Sequence, residues 1–325
     1  MQFSMRFDFR NPSFAGTSMA DRYAAALDMA EWADEHGCSN IGTCEHHGSA
    51  DGYIPSPIVI VSAMATRTTT VRFIIAALLA PFHDPLRLAE DLCVLDNITK
   101  GRLDLVVAAG YAREEFEMFD RSMKDRPKQV VEVVQTLRGA FSGQPFEYRG
   151  RTVHVTPPPY RPGGPTVIMG GSSEGAARRA ARLDAFFVPS MAHVWEFYRD
   201  ELRKLGKPDP GPAPFPEKQT LIFLATDVET AWKKHAPFFL HDTNAYGQWQ
   251  AQDNTDSPYR TFTDADALRA AGMYRILTPD ELIAELKATD GEPSIGLHPM
   301  CGGVPPELAW ESLRLLEREV LPAFS

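Results

Sequence analysis

The chain lacks any stretch approaching about 18 uninterrupted apolar residues, so no helix of it is expected to span a membrane. Its opening, MQFSMRFDFR, has no apolar run of the kind a secretory signal carries. The expectation is a soluble, cytoplasmic protein. Cationic excess is missing too: 33 basic against 43 acidic residues leave a net charge of −10. That argues against a nucleic-acid or anionic-membrane partner, though not against a small anion held by a local site. Cysteine is scarce. Cys38, Cys44, Cys93 and Cys301 form no CxxC pair and sit in or beside apolar segments, which reads as buried thiols rather than a disulfide framework. No GxGxxG follows the first strand signal, which counts against an open dinucleotide-binding sheet, and no internal repeat is visible.

What is present is a steady alternation of strand and helix. With 325 residues and 44% apolar content, a large core forms without disulfides. Residues 73–119 hold an apolar strand, a Pro-started amphipathic helix and a second apolar strand ending at Gly110. Strands apolar on both faces belong to parallel sheets covered by helices. Eight strands are expected near residues 5–9, 38–45, 73–80, 103–109, 166–169, 185–188, 219–225 and 294–298. Helices are expected between them, with an extra one at 279–288 and a small hairpin at 144–155. This count predicts an α/β fold, a (β/α)8 TIM barrel forming one domain over residues 1–325. Residues 241–274 break the rhythm: polar with scattered aromatics, they read as a lid or insertion loop before the last strand.

In such barrels chemistry gathers where strands end. Glu45-His46-His47 closes the second strand. Successive residues of a strand point to opposite faces, so His46 and its neighbours diverge if the backbone stays extended. A metal centre needs three or four convergent ligands, which this trio alone does not supply, and no metal is expected. Two readings remain: histidines satisfied within loop packing, and an acid–base imidazole at a barrel mouth. Gly170-Gly171-Ser172-Ser173 follows the fifth strand and opens a helix. The unpaired N–H groups and positive dipole end there suit a phosphate, to which Arg178 and Arg179 within two turns would add charge; a plain N-cap, with Arg178, Arg179 and Arg182 solvated, suits the same residues. Ala76-Ala77 and Ala108-Ala109-Gly110 are small-residue steps at two neighbouring strand ends, with room for a planar ring that Tyr111 would edge.

Taken together, EHH (45–47), HDPLRLAEDLCVLDNITKGRL (83–103), AAGYAREEFEMF (108–119) and GGSSEGAARRAARL (170–183) resemble the bacterial luciferase-like family of flavin-dependent oxidoreductases. The closing LHPMCGGVPPELAWESLRLLEREVLP is similar as well. The resemblance implies a luciferase-like barrel, usually a homodimer through its second and third helices, with a flavin at the mouth. By it, His46 takes the catalytic position, flanked by Glu45 and His47. Ala76-Ala77 matches a non-prolyl cis peptide behind the isoalloxazine. Ala108, Ala109, Gly110 and Tyr111 border the ring, and Met169, Gly170, Gly171, Ser172 and Ser173 form the phosphate segment. Luciferase itself has a cysteine and an arginine where this chain has Ala108 and Ala109. Light emission is therefore not expected, and the helix N-terminus with Arg113 or Arg178 would have to replace the lost phosphate partner. The implied activity is a monooxygenase oxidising a small organic substrate with reduced FMN and O2, the FMNH2 supplied by a separate NAD(P)H flavin reductase. Alternatives are a hydride-transfer enzyme using the deazaflavin coenzyme (factor 420) and a non-catalytic flavin-binding protein.

Overall fold

The computed structural model describes residues 1–214, 220–253 and 259–324. Its first half runs β1 (Gln2–Phe7), α1 (Met19–Glu35), β2 (Asn40–Thr43), α2 (Pro57–Ala65), β3 (Arg72–Leu79), α3 (Pro85–Thr99), β4 (Leu103–Ala108), α4 (Arg113–Met118) and α5 (Arg126–Phe141). A hairpin of β5 (Phe146–Tyr148) and β6 (Arg151–Val153) follows. The second half runs β7 (Thr166–Gly171), α6 (Glu174–Arg182), β8 (Phe187–Pro189), α7 (Val194–Lys204), β9 (Leu221–Leu224), α8 (Val228–Asp253), α9 (Ala265–Ala271), β10 (Tyr274–Leu277), α10 (Pro279–Lys287), β11 (Ser294–Leu297) and α11 (Pro306–Leu315).

Local chemistry sets many of these boundaries. Ser18 and Asp21 form a capping box at the start of α1, and Thr278 and Glu281 form another at α10. Asp84 accepts hydrogen bonds from the Leu86 and Arg87 N–H groups, with Pro85 in the first turn of α3.

Nine parallel strands make one sheet in the order β10-β9-β11-β1-β2-β3-β4-β7-β8, with β5-β6 as a separate antiparallel pair. This is the expected (β/α)8 barrel with one strand added beside β9. The alternation of burial shows which way the strands face. Phe3, Met5 and Phe7 of β1, Phe73 and Ile75 of β3, and Leu103, Leu105 and Val107 of β4 are sealed against the helices. The Phe3 ring lies 6.0 Å from Trp32 of α1. The opposite set points into the lumen and includes Arg6, Gly42, Ile74, Ala76, Ala108, Ile168, Gly170 and Val188, all only half-buried. A lumen lined by half-buried residues has space in it.

The structure departs from the sequence expectation between 241 and 274. Residues 241–253 continue α8, despite Pro237 inside that helix, and 265–271 form α9. Two of the scattered aromatics that read as loop are on a helix face: Tyr246 and Trp249, three apart, both turn toward His46, while Tyr259 and Phe262 lie outside the helices. Residues 254–258, at the centre of the expected lid, lie outside the described residues, as do 215–219 ahead of β9. Strand β10 and helix α4 were not expected either.

Candidate active site at the barrel mouth

The strand expected to reach Glu45 ends at Thr43, so Glu45, His46 and His47 lie in the loop after β2, where they still point apart. His46 turns to the mouth. Its backbone N–H donates to the Ile54 carbonyl at 3.2 Å, and the Ile54 N–H donates to the Asp8 carbonyl at 3.1 Å, tying the loop after β2 to the end of β1. Its Nδ1 donates to Glu115 Oε1 at 2.8 Å. The same oxygen accepts the His47 backbone N–H at 2.9 Å. A carboxylate can only accept, so the proton sits on Nδ1 and the Nε2 lone pair faces the mouth. The Tyr111 hydroxyl lies 3.4 Å from that Nε2. Trp249 stacks on the imidazole, centroids 4.5 Å apart at 27°.

Glu45 and His47 point the other way. Glu45 Oε1 accepts from His47 Nε2 at 2.9 Å and from His83 Nε2 at 2.8 Å, and Oε2 accepts the Leu79 N–H at 2.8 Å. The His47 ring packs edge-on against Phe82 and Phe119. Burial pushes the Glu45 carboxyl up, but the hydrogen bonds from His47, His83 and Leu79 outweigh it and hold the group below its usual range. Both residues, expected beside the reaction, brace the loop that carries His46.

Glu115 of α4 is the residue sequence reasoning missed. It is buried, and its Oε2 has no hydrogen-bond partner among the described residues. The run REEFEM offered three acids in one short helix, and only burial separates Glu115 from its exposed neighbours.

Around His46 the lumen is aromatic and cationic. Arg10 is buried between Asp51, at 2.5 Å, and Asp242, at 3.6 Å, with its guanidinium over Tyr53, Tyr246 and Trp249. Burial pushes the hydroxyls of Tyr53, Tyr111, Tyr246 and Tyr259 up, so all four stay protonated at neutral pH. Asp8, His298 and Cys301 place one ligand-type atom each within 4.8 Å of one another. There Asp8 already accepts from the Gly302 N–H, faces His298 and is held at about 2, while Arg10 and Arg22 occupy the surroundings. The positive charge a cation would bring is supplied by those side chains.

The small-residue wall is continuous. Ala76 pairs with Val106, and Val106 pairs with Ile168, so the β3, β4 and β7 ends lie side by side at one pole of the barrel. The Ala76-Ala77 peptide is cis. Ala108, Ala109, Gly110 and Tyr111 continue this wall and remain half-buried. Met169 does not join them: it is buried in the core between β7 and the helices, because the strand alternates. Gly170 and Gly171 also differ from expectation. They lie in β7 itself, and they are glycine for space: a Cβ on Gly170 would sit 2.8 Å from Val106 Cγ1, and one on Gly171 2.5 Å from Ala176 Cβ.

Ser173 caps α6, accepting the Ala176 N–H. Of the two arginines suggested to replace the lost phosphate partner, Arg178 is tied to Glu174 and Glu201, and Arg113 is exposed on α4. Arg179 fits that role. Its Nη2 lies 4.0 Å from the Cβ position of Gly175, in the first turn of α6. It is half-buried and makes no ion pair among the described residues. Burial and the repulsion of Arg126 and Arg182 all lower its pKa. A desolvated guanidinium facing like charge at a helix N-terminus is stabilised by an anion. The half-empty wall and this cation together fit a flat, phosphorylated cofactor.

The luciferase-like monooxygenase family model matches residues 1–292. Monooxygenase RslO1 from Streptomyces bottropensis superposes with a TM-score of 0.75 at 26% identity, covering 100% of both chains. The oxygenating constituent of 3,6-diketocamphane monooxygenase from Pseudomonas putida, solved in complex with FMN, gives a TM-score of 0.72 at 19% identity over 99% of this chain and 98% of that one, a likeness of fold. The oxygenase component of flavin-dependent trigonelline monooxygenase from Acinetobacter baylyi is 28% identical over 130 residues, 39% of this chain and 36% of that protein. The chain spans about half the length, or less, of the first curated relatives it matches. With the match running through barrel, mouth and small-residue wall alike, the chain belongs to the luciferase-like monooxygenase family of flavin-dependent oxidoreductases.

Proposed function

We propose that the chain is the oxygenase of a two-component system, using reduced FMN and O2 to oxidise a small organic substrate, with FMNH2 delivered by a separate NAD(P)H flavin reductase. The observation that carries this reading is the pairing of a half-empty small-residue wall, Ala76 to Gly170, with an imidazole held in one tautomer by Glu115 at 2.8 Å. Bound reduced flavin supplies the electrons and the oxygen-activating ring. His46 holds its proton on Nδ1 and offers Nε2 to accept or return one at the mouth. Glu115 keeps that orientation and balances the imidazolium when it forms. Ala76, Ala108 and Gly170 leave the ring its berth, and Arg179 with the α6 N-terminus holds the phosphate. Trp249 and Tyr246, reaching over His46 from α8, exclude water from above.

The same reading includes a cytoplasmic homodimer. Among the described residues no helix is long and apolar enough to cross a membrane. Val59 of α2 and Val94 and Ile98 of α3 are exposed at 69%, 44% and 39%, an apolar face on the two helices a partner copy would cover.

Anaerobic titration of the purified chain with oxidised FMN, reduced FMN and the deazaflavin, followed by tryptophan fluorescence, tests this. Reduced FMN is expected to bind tightest and to quench Trp249. Tighter binding of the deazaflavin favours the hydride-transfer reading. Tight FMN binding without oxygen chemistry favours a flavin-binding protein, and no binding of any of the three refutes the proposal.

A further inference from the structure

We propose that the lumen holds a carboxylate subsite built on Arg6, and that the substrate is a small organic acid. The inference deepens the function above, since it rests on the barrel mouth being the site of oxidation.

Three arginines gather around the end of β1, and each has at least one buried nitrogen without a hydrogen-bond partner among the described residues, but two of them have carboxylate or carbonyl oxygens beside them. Arg10 has Asp51 and Asp242. Arg22 donates to the carbonyls of Met300, Gly303 and Val304. Arg6 has neither. It points into the lumen and makes no ion pair among the described residues. Its partners are phenols: Tyr246 at 2.6 Å, Tyr53 at 3.4 Å and Tyr259 at 3.5 Å. Its Nε is buried and unpaired.

The surroundings carry a surplus of donors. A guanidinium brings five N–H groups and no acceptor. The Tyr53 and Tyr246 hydroxyls stand 2.6 Å apart and share one hydrogen bond, so one of their two protons is left to donate elsewhere. A lumenal cation with spare donors and no counter-ion is costly unless an anion arrives to pair with it. The forked donor geometry matches a carboxylate.

There is also room. Gly42 pairs with Arg6 across the β1–β2 ladder, and a Cβ there would stand 3.6 Å from its nearest neighbour. A Cβ on Gly296, across from Ser4 on the other side, would meet only the Thr220 carbonyl at 3.9 Å. The same tyrosines reach the acid–base group: the His46 ring lies 4.8 Å from Tyr53 and 5.9 Å from Tyr246. A carboxylate on Arg6 therefore holds the rest of a small molecule beneath His46.

Benzoate and benzamide, equal in shape and different in charge, test the subsite. Both are titrated by calorimetry into the full chain, with and without FMN. Benzoate is expected to bind at least tenfold more tightly than benzamide, and Arg6→Met to level the two while leaving the far-ultraviolet spectrum unchanged. Should Arg6→Met fail to fold, Tyr246→Phe serves, with a severalfold loss for benzoate alone. Equal binding, no benzoate binding at millimolar concentration, or a preference that survives the substitution overturns the proposal. So does a tenfold loss of reduced-FMN affinity in Arg6→Met with the benzoate preference intact, which would assign Arg6 to the flavin. A wild-type chain that binds benzoate but no flavin would instead sink the flavin reading.

Discussion

Replacing Glu45 by glutamine asks whether that carboxylate is a brace or a reacting group. The residue is 1% exposed, and its carboxylate takes three hydrogen bonds, from His47, His83 and the Leu79 N–H. Glutamine keeps the shape and one acceptor oxygen but aims an NH2 at a group that is itself a donor. Hydrogen bonds to a charged acceptor contribute roughly 1.5–3 kcal/mol each, so losing or neutralising three, less what the amide oxygen keeps, costs about 3 kcal/mol. The cost depends on pH. Glu45 is held below its ordinary value, so its contribution is present above about pH 4.3 and lost as pH falls through the lower folded value. Burial pulls His83 down, but the Glu45 hydrogen bond and charge, with Asp91, raise it overall. Its contribution is complete below about pH 6.5 and lost as pH rises through the higher folded value. The gap between wild type and Glu45→Gln is therefore widest at about pH 4.5–6.5 and narrows on both sides. With a urea slope of about 3 kcal/mol/M, the midpoint falls by about 1 M at pH 6. A gap under about 0.5 kcal/mol there, the range of ordinary surface substitutions, or one of constant size into alkaline pH, would refute the reasoning.

Three other outcomes are expected. His46→Ala retains FMN binding by fluorescence titration but loses about a hundredfold or more in oxygen uptake with substrate, and unchanged uptake would remove His46 from its role. Gly171→Ala, whose Cβ would lie 2.5 Å from Ala176 Cβ, forces the β7–α6 turn apart; about 1–3 kcal/mol of stability is lost in thermal unfolding, and FMN binds more weakly. Val59→Glu with Val94→Glu on the exposed faces of α2 and α3 turns a dimer into a monomer in light scattering, and an unchanged mass would place the interface elsewhere.

Much of the barrel was legible because its signals are local. Ser18 with Asp21 and Asp84 with Pro85 mark helix starts by hydrogen-bonding chemistry that needs no distant partner. The apolar runs of β3 and β4 announce strands sealed by helices, whereas Glu45-His46-His47, expected to close β2, lie in the loop after Thr43. The residue types of the proposed site were visible in the sequence as well: an imidazole, small residues at strand ends and a Gly-Ser turn before a helix. Tertiary structure decided which of them meet. Glu115 became the partner of His46 because α4 folds back over the mouth, 69 residues away along the chain. Arg179 rather than Arg178 is left without an ion pair among the described residues because Glu201, on the next helix, takes Arg178. Met169 faces the core and Gly170 the lumen by the phase of one strand. Residues 241–253 are helical because Tyr246 and Trp249 have His46, Tyr53 and Arg10 to pack on, and a polar sequence with few apolar positions cannot state that by itself. Arg6 shows the division most plainly. The sequence supplies a lone arginine in a strand; only closure of the barrel surrounds it with phenols and, among the described residues, gives it no carboxylate.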